Sequence, residues 1–129
     1  RSIVASIDAR RESGDWRVYS HSGRRPTSHN AVEWAREVER LGAGEILLTS
    51  IDRDGTMTGY DVELTRAVTA AVAIPVIASG GAGEFSHMAD VLKQGGASAV
   101  SAASMYFFTQ RTPLEAKRYL HAQGFNVRL

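Results

Sequence analysis

Four short apolar runs divide the chain, and each ends in polar or small residues. They are SIVASID at residues 2–8, EILLTSID at 45–52, PVIASGG at 75–81 and ASAVSAAS at 97–104. Runs that are apolar almost throughout, rather than alternating with polar residues, are typical of strands buried on both faces. The pattern therefore predicts four parallel strands covered by helices.

Apolar residues at helical spacing occupy the segments between and after these runs. Residues 30–41 predict one helix, and Asp61 is expected to cap a second. A third helix is centred on residues 88–92. A fourth begins at the capping box formed by Thr112 and Glu115. The chain thus repeats a strand followed by a helix four times.

Four such repeats fit either an open sheet or half of an eight-stranded (β/α)8 barrel. The strand ends favour the barrel, because barrel chemistry collects at the carboxyl ends of strands and each run here ends in Asp, Thr, Ser or Gly. The alternating segment at 15–22 predicts an additional hairpin strand. We expect residues 1–129 to form one α/β half-barrel domain. Its two open edges predict completion by self-association or by a missing N-terminal half, and the first residue, Arg1, suggests a start inside a longer protein.

Composition narrows the possible partners. The 129 residues, 43% of them hydrophobic and 22% charged, fit one globular domain. Fifteen Lys and Arg against 14 Asp and Glu give a formal charge of +1, which provides no large positive field for nucleic acid. The absence of cysteine excludes disulfides and is compatible with the cytoplasm. No apolar run approaches the roughly 20 residues of a membrane helix.

Two strand ends carry the candidate acid–base and polar residues. Asp8 closes the first run, where partial burial can raise the pKa of a carboxyl group; an Asp satisfied by loop amides is an equal alternative. The segment from Thr49 to Thr56 concentrates hydroxyls and carboxylates, including Asp54. A calcium loop is disfavoured there, because Asp61 stands where that pattern needs glutamate.

The last two strand ends predict a phosphate site. Ser79, Gly80 and Gly81 let backbone N–H groups approach an anion, although a tight turn alone would explain the glycines. Ser104 at the next strand end adds a hydroxyl, and the two ends together favour phosphate. The glycine spacing does not match a dinucleotide-binding fingerprint. The four histidines share no metal-ligand spacing and are expected at the surface; they are His21, His29, His87 and His121.

Several motifs together resemble the cyclase subunit of imidazole glycerol phosphate synthase, of histidine biosynthesis. They are SIDAR at 6–10, GAGEILLTSIDRDGT at 42–56, GYD at 59–61, ASGGAG at 78–83, AAS at 102–104 and NVRL at 126–129. The resemblance covers essentially the whole chain but only the C-terminal half of the family, strands five to eight of its barrel.

The resemblance implies a cyclase-lyase that uses ammonia from a glutamine amidotransferase partner to split a bis-phosphorylated aminoimidazole carboxamide ribonucleotide. No cofactor is implied. Asp8 matches one of two acid–base aspartates, and the other, on strand one, is absent here. The remaining matches are substrate contacts at Thr49, Asp54 and Gly55, phosphate contacts at Ser79, Gly80, Gly81, Ala103 and Ser104, and one member of an ammonia-entry ring at Glu45.

The chain departs from the family pattern at two positions. Phe107 stands where a histidine is common, and Ser28 where a glycine is common. Related cyclase-like subunits of surface-sugar biosynthesis are therefore one alternative. A non-catalytic phosphate-binding half-barrel or scaffold domain is the other.

Overall fold

The computed structural model describes residues 3–20 and 23–126. Residue 2 of the first predicted strand, the predicted surface position of His21 and residues 127–129 of the family-like terminal motif lie outside this part. The elements in chain order are β1 (Val4–Glu12), β2 (Asp15–Ser20), β3 (Arg25–Asn30), α1 (Ala31–Arg40), β4 (Glu45–Ser50), α2 (Val62–Ala71), β5 (Val76–Ser79), α3 (Phe85–Lys93), β6 (Ala99–Val100), α4 (Ala103–Phe108) and α5 (Pro113–Ala122).

In the described residues, one six-stranded sheet has the order β3-β2-β1-β4-β5-β6. The strands β1, β4, β5 and β6 are parallel and neighbour one another in chain order. A doubly wound sheet reverses its strand order at a switch point, whereas a barrel adds each new strand on the same side. The order therefore confirms the α/β half-barrel with four parallel strands.

The core lies on one face of this sheet, between the strands and the helices. Ile7, Ile46, Leu48 and Val76 are fully or almost fully buried there, in a cluster that includes residues of α1 and α2. The alternate strand residues point to the opposite face, because side chains alternate along a strand. On that face Leu47 is only half-buried. Burial of the strands on both faces, expected from their composition, is thus wrong for the part of the chain described here.

Local capping signals explain where the helices begin. Asn30 accepts from the Val32 and Glu33 amides at the start of α1, and Asp61 accepts from the Leu64 amide at the start of α2. The predicted capping box of α5 is present, with Thr112 as the N-cap. Each N-cap side chain satisfies amide groups that the helix itself leaves unpaired.

Three elements differ from the sequence expectation. The first strand continues past Asp8 to Glu12 and turns through Ser13 and Gly14, both at positive φ, into the expected hairpin strand β2. A third antiparallel strand, β3, was not predicted. The apolar run at 97–104 holds a strand of only two residues and then the start of helix α4. Short apolar runs do not distinguish strand from helix by periodicity.

Candidate functional site

Three predicted site residues form one row across the sheet. In the parallel register Asp8 of β1 is level with Thr49 of β4, and Thr49 is level with Ser79 of β5. All three are half-buried and occupy the alternate positions that face away from the helices. Adjacent strands lie about 4.8 Å apart, so the row spans about 10 Å.

A cavity of about 400 Å³ opens over this row. It is lined by Asp8, Thr49 and Ser79 together with Gly23, Ile51 and Asp54. Asp54 comes from the loop that follows β4, where its amide donates to the Ser50 carbonyl at 2.9 Å. Two carboxylates and two hydroxyls therefore face the same space.

Asp8 has the electrostatic environment of an acid–base group. Burial raises the pKa of its carboxyl group above the usual value, and the negative charge of Asp54 adds to the rise. A carboxyl group with a raised pKa is more readily protonated near neutral pH, and can then donate as well as accept a proton. The arrangement suits proton transfer to a bound molecule.

The predicted phosphate residues line a second, smaller cavity that continues from the first through Asp54 and Ser79. Its volume of about 40 Å³ has room for about three water molecules, which suits one phosphate group. Gly80 and Gly81 both have positive φ, a conformation that glycine adopts without strain, and neither has a Cβ atom to keep a ligand away from the backbone. The lining consists of Asp54, Ser79, Gly80, Gly81, Ala82, Ser101, Ala102, Ala103 and Ser104.

The glycine loop (residues 79–83) packs directly against the loop between β4 and α2. The Gly59 amide donates to the Gly81 carbonyl at 2.7 Å. A Cβ atom at Gly81 would lie 2.1 Å from the Gly59 carbonyl oxygen, a distance no side chain tolerates. The two loops thus approach so closely because Gly81 is a glycine.

Tyr60 ties the same β4–α2 loop to the end of β6. Its hydroxyl donates to the Ser101 carbonyl at 2.8 Å, beside the smaller cavity. Burial, and secondarily Tyr106, raise the pKa of Tyr60, so its hydroxyl stays protonated and keeps donating. Tyr60 belongs to the GYD motif, but only the structure reveals this bond.

Two predicted site residues lie apart from the row. Gly55 is exposed and outside both cavity linings, although it is in the same loop as Asp54. Glu45 begins β4, four residues before Thr49 and therefore about 13 Å away along the strand. It lies at the amino end of the sheet, opposite the end that carries the cavities.

Arg11 is ion-paired, and one histidine lies differently from the sequence expectation. The Arg11 guanidinium pairs with Asp61 at 3.7 Å and with Glu63 at 3.4 Å. His87 was expected at the surface but is half-buried, and its Nδ1 accepts from the amides of Gly83 and Glu84 at 3.0 and 3.3 Å.

Another cavity, of about 410 Å³, lies beside the β1–β2 turn and away from the row. Trp16 lines it, with the Arg11 guanidinium 5.0 Å from its ring centre. His29 also lines it and stacks on Trp34 at 4.3 Å. Both tryptophan rings thus pack against a neighbouring polar side chain.

Within residues 3–20 and 23–126, no group of three or more His, Cys, Asp or Glu side chains is arranged to hold a metal ion. The same residues include no helix long and apolar enough to cross a membrane.

The family model described as "Histidine biosynthesis protein" matches residues 1–112, which include every candidate site residue.

Proposed function

The chain belongs to the histidine biosynthesis protein family, whose members are (β/α)8 barrel enzymes, and we propose that it is the C-terminal half of an imidazole glycerol phosphate synthase cyclase. In this role it binds a bis-phosphorylated aminoimidazole carboxamide ribonucleotide. With ammonia, it converts that substrate to imidazole glycerol phosphate and an aminoimidazole carboxamide ribotide, and the oxygen that the ammonia nitrogen replaces leaves as one molecule of water.

The observation that carries this proposal is the row of Asp8, Thr49 and Ser79, with the glycine loop at one end. A phosphate held by the amides of Gly80 and Gly81 would direct the rest of the substrate along the row. Thr49 offers a hydroxyl midway, and Asp8 stands at the far end. Binding energy from a remote phosphate can thereby orient the reacting atoms against the carboxyl group.

Asp8 supplies proton transfer in this proposal. Ammonia addition, ring closure and release of the second product all require protons to move on or off nitrogen or oxygen. Burial keeps the pKa of Asp8 raised, so the carboxyl group can take up a proton in one step and return it in another. Asp54, on the same cavity, favours the protonated form of Asp8 while its own carboxylate accepts from substrate hydroxyls.

We propose that a second copy of this chain takes the place of the N-terminal half and completes the barrel. Within the described residues β6 ends the sheet, and β2 pairs with β1 only from Asp8 onward, which leaves Val4–Ile7 without a partner on that edge. Apolar side chains are exposed at both ends, including Val4 at 49% and Phe107 at 80%. Rotation about an axis parallel to the strands preserves their direction, so β6 of each copy can pair in parallel with β1 of the other.

This assembly also supplies the second aspartate. Four strands from each copy give eight, and the two-fold axis sets the two Asp8 side chains across one mouth. Sedimentation at increasing concentration tests it, and a dimer is expected. The chain could instead stay monomeric and form a one-to-one complex only when an N-terminal half-barrel is added. That result would contradict self-association and would show that the N-terminal half completes the barrel.

Glu45 and its neighbours at the amino ends of the strands are the proposed side for a glutamine amidotransferase. This end of the barrel is remote from Asp8, so ammonia would travel through the interior to the site. The proposal places ammonia entry and substrate entry at opposite ends.

The experiment is ammonia-dependent turnover by the sized protein. The family substrate and an ammonium salt are incubated with it, and both products are followed by chromatography. We expect both products in equal amounts. Substrate binding without products would favour a phosphate-binding scaffold domain, and turnover of a different phosphorylated substrate would favour the surface-sugar variant.

A further inference from the structure

Gly83, the last residue of the glycine loop, is held on three sides by residues that do not line either site cavity. Its amide donates to His87 Nδ1 at 3.0 Å, and its carbonyl accepts from Arg111 Nη1 at 2.7 Å. A Cβ atom at Gly83 would lie 2.1 Å from the carbonyl oxygen of Met57. Both polar groups of Gly83 are thus fixed, and its Cα is pressed against the β4–α2 loop.

His87 determines which loop amides remain available to an anion. Its Nδ1 accepts from the amides of both Gly83 and Glu84, so this nitrogen acts as an acceptor and not as a donor. The two amides that bond to the imidazole cannot also bond to a ligand. Gly80 and Gly81, which precede Gly83 in the loop, line the smaller cavity and are not bonded to this imidazole.

Arg111 joins the glycine loop to the connection between α4 and α5. It lies between α4 and α5, shortly after Ala103 and Ser104, and reaches back 28 residues to the Gly83 carbonyl. Its guanidinium also lies over the Phe85 ring, 5.6 Å from the centre, which restricts the side chain further. The glycine loop is therefore tied to the segment that follows α4, the helix whose first residues line the cavity.

We infer that His87 and Arg111 are positioning residues for the phosphate site, setting the orientation and spacing of the groups that bind phosphate without touching it. The inference rests on the proposed function, because it requires the smaller cavity to take phosphate. It assigns His87 a role beyond capping α3, and Arg111 one beyond a surface charge.

Titration calorimetry with inorganic phosphate at constant ionic strength tests this inference. Each variant's free energy of unfolding is measured without phosphate, to separate positioning from stability. The disruptive variants are His87→Leu and Arg111→Met. The conservative variants are His87→Gln and Arg111→Lys. The controls, which make the same disruptive changes on the exposed face of α5, are His121→Leu and Arg118→Met.

We expect the disruptive variants to bind phosphate about tenfold more weakly, a loss like that of outer-shell partners at metal sites. Glutamine at position 87 keeps an acceptor, as is usual at the third position of a capping box, so His87→Gln should stay within threefold of the parent. Arg111→Lys keeps a donor and should do the same. The two controls should match the parent.

Two results would overturn the inference, and they are distinguishable. If the parent does not bind inorganic phosphate, the proposed phosphate site fails and the inference fails with it. If the parent binds and Arg111→Met binds equally well, only the inference fails. Arg111 is exposed, so this variant is expected to fold and decides the question even if His87→Leu does not fold.

Discussion

Replacing Gly81 with alanine should disrupt the contact on which the site depends most. The added Cβ would lie 2.1 Å from the Gly59 carbonyl oxygen and 3.0 Å from the Arg53 Cβ, so the two loops must separate. Separation also breaks the 2.7 Å hydrogen bond from the Gly59 amide to the Gly81 carbonyl. Gly42→Ala is the matched control, because Gly42 has a similar φ of 106° but nothing within 4 Å of its Cβ position.

The structure gives the expected magnitude. Both substitutions incur the cost of a positive φ, about 1–2 kcal/mol. Gly81→Ala adds about 1–3 kcal/mol of overpacking and about 1 kcal/mol for the lost hydrogen bond. The difference between the two variants is then about 2–4 kcal/mol in the free energy of unfolding. A difference of 1 kcal/mol shifts the thermal unfolding midpoint of a domain of this size by roughly 4 °C, so the thermal midpoints of the two variants should differ by roughly 8–16 °C.

Urea denaturation of both variants, with and without phosphate, measures these effects. Phosphate at ten times its Kd should stabilise the parent and Gly42→Ala by about 1.4 kcal/mol. It should leave Gly81→Ala unchanged. Equal destabilisation by the two substitutions, or undiminished phosphate protection of Gly81→Ala, would refute the reasoning.

Three further predictions concern single side chains. Asp8→Asn should raise the unfolding temperature at pH 7, because the pKa of Asp8 is raised in the folded state and its ionisation there is costly. The gain should disappear below the ordinary pKa of 3.8, where Asp8 is protonated in both the folded and the unfolded state. A gain in unfolding temperature that is the same at every pH would contradict this. Tyr60→Phe should cost about 1 kcal/mol in urea denaturation for the lost bond to Ser101, while Tyr106→Phe should cost less. Glu45→Gln should slow glutamine-dependent turnover in the presence of the amidotransferase but leave ammonium-dependent turnover unchanged; equal slowing of both would remove Glu45 from ammonia entry.

The sequence predicted those parts of the fold that depend on local signals. Asp61 and Thr112 each cap a helix as expected, because an N-cap side chain acts on amides two or three residues away. Asn30 was expected inside the first helix and is instead its N-cap. The antiparallel strand β3 escaped prediction because its polar sequence, RPTSHN, carries no strand pattern. It is a strand only because it pairs with β2.

In the candidate site too, the sequence predicted local features but not those that depend on contacts between distant segments. The strand ends predicted Asp8, Thr49 and Ser79 as candidates, but their common level depends on parallel register, which no single segment specifies. The roles of His87 and Arg111 escaped prediction because their bonds to Gly83 arise from tertiary approach and leave no periodic trace in the sequence. The sequence also did not predict that the sheet face opposite the helices is only half-buried, because an apolar strand has the same sequence pattern whether or not a second half-barrel covers it.

The effect of Asp8→Asn on turnover tests the central claim most directly. With substrate affinity measured on the same assembled sample, the account predicts that kcat for ammonia-dependent product formation falls about 10²–10⁴-fold, the usual share of general acid–base catalysis. The Kd of the substrate should change little, because the phosphate is held at the glycine loop at the other end of the row. Turnover by Asp8→Asn at the parent rate would contradict the account.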